Sequence, residues 1–208
     1  TIVDQVEAMK RLVNEFRDYA RLPSAELKPL QLNALVSDVL ALYASEPHDS
    51  VARAKVIAEM DPACPMILGD EQQLRQVIHN LLQNAQDACE VRGQGLANAR
   101  VRVRTEWRAQ RQRVRLTVTD TGPGFAPHIL QRAFEPYVTT KAKGTGLGLA
   151  VVKKIADEHG ARIDMANVQD GDNIQGAQVS LSFAVAQTAQ GLEPVSYTHL
   201  TLPTILLV

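Results

Sequence analysis

Residues 134–149 read F-E-P-Y-V-T-T-K-A-K-G-T-G-L-G-L, and no other stretch of the chain narrows the fold as far. Its glycines run into a segment predicted to be a helix over about 147–159, for which Gly160 supplies a left-handed stop. Backbone N–H groups between small residues at a helix N-terminus form an anion site. The spacing is not the dinucleotide fingerprint, since Leu149 replaces its third glycine, and it is not a Walker A loop.

The first half of this stretch supplies groups that can meet a phosphate. Thr139 and Thr140 carry hydroxyl donors and Lys141 carries an ammonium, which meets phosphate as a point charge. A surface loop with a hydrophobic anchor is the alternative interpretation of the same residues.

Upstream, D-T-G-P-G at 120–124 directly follows a predicted strand. Gly122 and Gly124 allow the backbone to approach a ligand closely and to adopt positive φ. A carboxylate beside them, that of Asp120, can accept a hydrogen bond from an exocyclic amine such as that of adenine. When this motif is taken alone, a simple turn is the more common explanation.

Further upstream, N-L-L-Q-N-A-Q-D-A at 80–88 lies on a long amphipathic helix predicted from Asp70 to about Cys89. Asn80 and Asn84 are one turn apart and share a face. Their carbonyl oxygens suit Mg²⁺, which uses few protein ligands and keeps several waters. A polar stripe is the alternative, but four such segments in this order are an improbable coincidence.

The remaining periodicity predicts an α/β two-layer sandwich, with a mixed β-sheet and helices on one face. A helix is predicted over 32–43, with Asn33 as its cap. Strands are predicted over 55–60, 100–107, 113–119, 161–166 and 177–184, the second and third forming an antiparallel pair.

Composition sets broad limits on function. The chain has 208 residues, 45% hydrophobic and 22% charged, with a net charge of -1 that gives no global attraction to nucleic acid or membrane. Arginines alternate with apolar residues over 100–116, which favours the solvated face of a hairpin over a nucleic-acid patch, so no nucleic-acid partner is expected. Two cysteines argue against a disulfide framework or zinc site and suit a reducing compartment. No membrane-spanning stretch or signal peptide is present in the sequence.

Both ends differ from the middle. Residues 1–22 carry an a/d seam typical of a coiled coil or helical bundle, and such a helix expects partners, although packing on its own domain is the alternative. A linker over 23–31, a main domain over 32–186 and a tail over 187–208 are predicted to follow. Within the tail, 195–204 reads V-S-Y-T-H-L-T-L-P-T and resembles a translated sequencing adapter. A genuine strand or tail is the alternative.

The four segments together closely resemble the histidine-kinase branch of the gyrase–Hsp90–histidine-kinase–MutL ATP-binding superfamily, of the nitrogen-regulation NtrY/NtrB type. Residues 76–88 resemble its N box, 120–124 the G1 box, 134–137 the F box and 144–148 the G2 box. The resemblance covers about residues 1–186. It implies that residues 32–186 are a catalytic domain with a Bergerat-type ATP-binding fold, and that residues 1–22 are the truncated second helix of a dimerisation and phosphoacceptor bundle.

The resemblance also implies residue roles. Asp120 would bind the adenine amino group, and Asn84 would ligate Mg²⁺ with support from Asn80. The implied nucleotide-binding set is Asn80, Asn84, Asp87, Asp120, Gly122, Gly124, Tyr137, Thr139, Thr140, Lys141, Gly144, Thr145, Gly146, Leu147 and Gly148.

The implied function is that of a cytoplasmic histidine-kinase domain that binds Mg-ATP. Its γ-phosphoryl group would go to a histidine on a bundle helix and then to a response-regulator receiver domain. The full-length protein would be a homodimer anchored in the inner membrane. None of His48, His79, His128 and His159 has the H-E-x-x-x-P context of the phosphoacceptor, so they are interpreted as structural or exposed and autophosphorylation of this chain is not expected.

Other members of the superfamily are the competing interpretations. ATPases of the gyrase, Hsp90 and MutL branches place a glutamate base four residues before the magnesium asparagine, where this chain has Asn80. A serine kinase that binds a sigma factor and a non-catalytic nucleotide-binding module are the remaining alternatives.

Overall fold

The structure, a computed structural model, describes residues 22–45, 53–91, 99–139, 141, 144–171 and 173–186, with a few helical positions before residue 22. A one-turn 3₁₀ helix, Ala109–Arg111, connects the fourth and fifth strands. The elements in chain order are β1 Lys28–Leu30, α1 Leu32–Ser45, β2 Lys55–Glu59, β3 Ile67–Gly69, α2 Glu71–Val91, β4 Arg100–Arg108, β5 Arg113–Asp120, α3 Pro127–Arg132, α4 Gly148–Glu158, β6 Arg162–Asp170 and β7 Asn173–Ala184.

A mixed five-stranded sheet in the order β2-β4-β5-β7-β6 forms one layer of the sandwich. β2 runs parallel to β4, and the other neighbours are antiparallel. Alternate residues of β4 and β5 are buried, so one face of the sheet joins a single core with α1, α2 and α4. The predicted α/β sandwich is therefore confirmed.

The last hairpin is longer than its apolar pattern indicates. β6 ends at Asp170 and β7 begins at Asn173, whereas strands were predicted only over 161–166 and 177–184. The added part of the two strands carries only two apolar side chains, Val168 and Ile174, so it lacks the apolar alternation that predicts a strand. Gly171 turns the chain with φ 59°, and a register shift between Val168 and Gln169 marks a bulge.

Three short elements, β1, β3 and α3, were not predicted. β1 lies within the segment 23–31 that was predicted to be a linker, and it pairs antiparallel with β3. α3 begins at Pro127, where proline at the first turn is compatible with a helix. Each is too short for periodicity to be visible in the sequence.

The prediction that Asn33 caps α1 is wrong, because the helix begins one residue earlier and Asn33 lies inside it. Its amide instead joins α1 to the sheet: Nδ2 donates to the Asp61 carbonyl at 2.7 Å, and Oδ1 accepts from Thr105 Oγ1 at 2.7 Å. The Asp61 carboxylate accepts from the Trp107 and Ala63 N–H groups, which lowers the pKa of Asp61.

We expect Thr105→Val to destabilise the fold. Thr105 is 1% exposed, and its hydroxyl accepts from the Asp61 N–H at 3.1 Å while donating to Asn33. Valine has the same shape but leaves both partners unsatisfied, at a cost of about 2 kcal/mol. Urea unfolding would measure it, with Thr117→Val on the outer face of β5 as control. Equal urea midpoints for the two variants would show that the buried hydrogen bonds of Thr105 contribute nothing to stability.

The described histidines are structural or exposed, as predicted. His159 is buried, its Nε2 accepts from the Asp70 N–H at 2.9 Å and its Nδ1 lies 2.8 Å from the Ile155 carbonyl. These two contacts require the neutral tautomer with the proton on Nδ1. His79 and His128 are exposed, and His48 lies outside the described residues.

Before residue 22, the described seam positions Val6, Met9, Val13 and Phe16 are helical and 47–66% exposed. Their exposure agrees with a helix whose apolar side needs a partner. The described part of the chain contains no helix that is long and apolar enough to cross a membrane.

The arginines of β4 and β5 lie on the sheet face that is turned away from the helices. Three of the guanidinium groups form ion pairs there: Arg102 with Glu59, Arg108 with Glu106 and Arg115 with Asp164. This is the polar outer face of a hairpin, as the alternation predicts. Cys64 and Cys89 are both buried free thiols, and burial raises the pKa of Cys64.

Candidate functional site

The candidate site lies along one side of α2, where three later segments of the chain converge. We name them the acidic loop (residues 120–125, after β5), the lid segment (residues 134–139 and 141) and the glycine loop (residues 144–148, leading into α4). Each is in contact with α2 or with another of the three, so segments far apart in sequence meet at one place.

Asp120 ends β5 with its carboxylate fixed by backbone donors. The side chain is 8% exposed, and Oδ1 accepts from the Gly122 N–H at 2.8 Å and the Ala177 N–H at 3.2 Å. Backbone pairing between β5 and β7 stops at Thr119, while Asp120 still pairs with Val101 of β4. The orientation of this carboxylate is therefore set by one donor of its own loop and one donor on β7.

The glycines of the acidic loop allow this loop to lie close to neighbouring elements of the protein. A Cβ on Gly122 would lie 2.8 Å from both the Cβ and the carbonyl oxygen of Ala88, so this glycine seats the loop against α2. Gly124 has φ 79°, a backbone conformation that residues with a side chain rarely adopt.

On α2, the Lys141 ammonium contacts two of the predicted site residues. Its Nζ donates to Asn84 Oδ1 at 3.1 Å and to Asp87 Oδ2 at 2.7 Å, with both charged side chains about one-third exposed. The amide oxygen of Asn84 and a carboxylate oxygen of Asp87 therefore both contact the Lys141 ammonium. Oxygen ligands of this kind suit Mg²⁺, so the donor set fits that ion.

The glycine loop is held close to the lid segment and to α2. A Cβ on Gly144 would lie 2.6 Å from Thr139 Oγ1, and one on Gly148 would be 3.5 Å from Asn84 Nδ2. Asn80 Nδ2 donates to the Gly148 carbonyl at 3.4 Å, which ties the start of α4 to α2.

Gly146 and Tyr137 join the two segments through their backbones. The Tyr137 N–H donates to the Gly146 carbonyl at 3.1 Å, and the two residues have φ values of 66° and 71°. A positive φ strains the backbone of a non-glycine residue such as Tyr137, and strained residues of this kind are concentrated at functional sites. A Cβ on Gly146 would lie 2.6 Å from the Tyr137 carbonyl carbon.

The start of α4 has the form of an anion site. Leu147 is its N-cap, is 1% exposed, and provides no side-chain hydrogen bond to the first turn. The first N–H groups of the helix therefore have no side-chain cap, and the dipole favours a negative ligand there.

The threonines of the site make local hydrogen bonds. Thr139 Oγ1 accepts from the Lys141 N–H at 3.1 Å, and Thr145 Oγ1 accepts from the Leu147 N–H at 3.4 Å. Both hydroxyls shape their loops. Thr140 lies outside the described residues. Arg132 at the end of α3 donates to Glu135 Oε2 in the lid segment, which lowers the pKa of the Glu135 carboxyl group.

Two residues at this site were not predicted from the sequence. Asn167 on β6 hydrogen-bonds to Phe125 of the acidic loop. Gly176 on β7 faces Asp120, and a Cβ there would lie 1.8 Å from the Asp120 carbonyl oxygen. The available signal was a glycine inside a β-rich segment, which indicates close backbone approach, but β7 was predicted to begin at residue 177.

Comparison with known proteins agrees with this geometry. Residues 69–187 match the family described as histidine kinase-, DNA gyrase B-, and HSP90-like ATPase. The nitrogen regulation protein NtrY of Azorhizobium caulinodans is 33% identical over 189 residues, which is 88% of this chain and 22% of NtrY. The sensory histidine kinase/phosphatase NtrB of Rhodobacter capsulatus is 34% identical over 172 residues, which is 79% of this chain and 47% of NtrB.

Among solved structures, the crystal structure of full-length ShkA in complex with AMPPNP superposes with a TM-score of 0.67 at 31% identity. The match covers 85% of this chain and 36% of ShkA. The chain thus spans less than half the length of each of these relatives.

Proposed function

The chain belongs to the histidine kinase-, DNA gyrase B-, and HSP90-like ATPase family, and from this premise we propose that it is the ATP-binding catalytic domain of an NtrY/NtrB-type sensor histidine kinase. It transfers the γ-phosphoryl group of ATP to a histidine on a bundle helix. The observation that carries the proposal is the convergence of Asp120, the uncapped start of α4 and the Lys141–Asn84–Asp87 cluster on one side of α2.

Each part of the nucleotide has a matching group in this proposal. The Asp120 carboxylate accepts from the adenine amine, since Gly122 and Ala177 already fix its orientation. The glycine loop and the first N–H groups of α4 receive the phosphates. Tyr137, Thr139, Thr140 and Lys141 form the lid over them.

Mg²⁺ would be held by Asn84, with Asn80 in support, and would neutralise phosphate charge. The Lys141 ammonium donates to Asn84 Oδ1, the oxygen that would ligate the metal, so we propose that this ammonium moves to the phosphates when the metal binds. Phosphoryl transfer depends mainly on positioning and on charge neutralisation, and a mobile lysine serves both.

The residue at position 80 favours a kinase over an ATPase. Asn80 donates to the Gly148 carbonyl from the place where the ATPase branches would need a glutamate to activate water. The side chain of Asn80 is an amide, which, unlike a carboxylate, cannot take a proton from water at neutral pH. The site therefore suits transfer to a positioned acceptor better than hydrolysis.

The partners follow from the same assignment. The acceptor histidine belongs to a phosphoacceptor helix of the same or a partner subunit, and the phosphoryl group then passes to a response-regulator receiver domain. The exposed seam of Val6, Met9, Val13 and Phe16 suits a dimerising bundle. In the whole protein, this domain lies in the cytoplasm and the protein is anchored in the inner membrane.

Calorimetric titration with AMPPNP, with and without Mg²⁺, tests nucleotide binding, and a labelled transfer assay tests catalysis. With γ-labelled ATP, a phosphoacceptor bundle from an NtrB-type kinase should become labelled in trans, and the chain alone should not. A bundle variant that lacks the histidine is the matched control. Binding of AMPPNP without any transfer would reduce the proposal to a nucleotide-binding module.

We expect Lys141→Met to weaken Mg-AMPPNP binding about tenfold, because a charged hydrogen bond to phosphate is lost. Adenosine has no phosphate, so its affinity should not change. Lys153→Met is the matched control, since Lys153 pairs with Asp157 on the exposed side of α4. Tighter Mg-AMPPNP binding by Lys141→Met would mean that the lysine only competes with the metal.

A further inference from the structure

The acidic loop is clamped by a side chain that lies outside all four recognised boxes. Asn167 Oδ1 accepts from the Phe125 N–H at 2.7 Å, and Asn167 Nδ2 donates to the Phe125 carbonyl at 2.9 Å. One amide thus satisfies both backbone groups of the same loop residue. Phe125 closes the loop that begins at Asp120, so the far end of the loop is fixed to β6.

The near end of the loop is fixed at the same step of the sheet. Asn167 on β6 pairs in register with Ala177 on β7, and the Ala177 N–H donates to Asp120 Oδ1 at 3.2 Å. A single cross-strand pair therefore holds both ends of the acidic loop. One further regular pair, Val168 with Gly176, separates the clamp from the bulge between Val168 and Gln169.

The loop is also packed tightly between these contacts. A Cβ on Gly124 would lie 2.9 Å from Asn167 Oδ1 and 2.5 Å from Ile174 Cγ2. Residues 121–125 of the loop lie outside any helix or strand, so side-chain contacts hold them in place. Substitution of Asn167 would remove the contact that holds Phe125 against the hairpin of β6 and β7.

We propose that Asn167 is a positioning residue that sets the preference of this site for adenine over guanine. The inference rests on the proposed function, in which Asp120 accepts from the adenine amine. Guanine has a carbonyl oxygen at the corresponding position, which a fixed carboxylate repels. Selectivity by repulsion requires that the carboxylate cannot retreat, and the Asn167 clamp supplies that rigidity.

The test compares Asn167→Ala with Asn173→Ala, the same substitution at an exposed position of the same hairpin. Calorimetry with Mg²⁺ measures three ligands: AMPPNP, GMPPNP and inorganic tripolyphosphate. We expect Asn167→Ala to weaken AMPPNP binding about tenfold, or 1.4 kcal/mol. GMPPNP binding should weaken less, so the adenine-to-guanine ratio narrows, and tripolyphosphate binding should not change. Asn173→Ala should match the unmodified chain for all three.

Two outcomes would overturn the proposal. One is an unchanged adenine-to-guanine ratio in Asn167→Ala, and the other is an equal loss for all three ligands, which would mark a purely structural role. Asn167→Asp repeats the test if the alanine variant is unfolded by circular dichroism, since aspartate keeps the acceptor for the Phe125 N–H and loses the donor to its carbonyl. Failure of the unmodified chain to bind AMPPNP would overturn the proposed function and this inference together.

Discussion

Asp120→Asn should reduce AMPPNP affinity by about 100-fold, close to the loss of about 3 kcal/mol expected when a charged hydrogen bond is replaced by a mismatched one. The carboxylate accepts from the Gly122 and Ala177 N–H groups through Oδ1. An asparagine can keep one oxygen toward these donors, but it then presents an NH₂ group toward the adenine amine. Two donors face each other, and the bound state loses its base contact.

The measurement is calorimetric titration of the folded variant, with Asp38→Asn on the exposed side of α1 as the matched control. Both substitutions remove one negative charge, so only position distinguishes them. Circular dichroism and thermal melting show whether the variant is folded. Wild-type affinity in a folded Asp120→Asn chain would exclude Asp120 as the adenine ligand.

Gly176→Ala should have an effect of similar size through backbone displacement. An alanine Cβ would lie 1.8 Å from the Asp120 carbonyl oxygen and 2.9 Å from its carbonyl carbon, both backbone atoms. The Asp120 backbone would have to move by about 1 Å, and displacements of that size in a binding site can cost about 100-fold. Overpacking should also lower stability by about 1–3 kcal/mol.

Gly160→Ala separates these two effects. Gly160 has φ 57° and open space around its Cβ position, so alanine there costs stability through backbone strain without displacing a neighbour. Both variants should melt at lower temperature, but only Gly176→Ala should lose AMPPNP affinity. Normal affinity in Gly176→Ala would show that the acidic loop can shift without disturbing the site.

Most of the fold could be predicted from the periodicity of apolar residues in the sequence. The amphipathic pattern of α2 and α4 and the alternation in β4 and β5 each depend on burial against one core, so the elements were correctly predicted. The hairpin of β6 and β7 was predicted too short, because its added residues are held by backbone pairing and carry no apolar pattern. Asn33 was predicted to be a cap because asparagine is common at helix N-caps. In the structure its amide hydrogen-bonds instead to Asp61 and Thr105, which are distant in sequence.

For the site, the amino-acid sequence by itself determined the chemical groups and their order: the carboxylate of Asp120, the amides of Asn80 and Asn84, the ammonium of Lys141 and the glycines of the two loops. These are local properties of residue type and spacing. Only the tertiary structure decided that Asn167 and Gly176 belong to the same site, because both act on the acidic loop across 42 or more residues. Such contacts arise from strand pairing, which brings distant backbone positions together and leaves no periodic trace in the sequence.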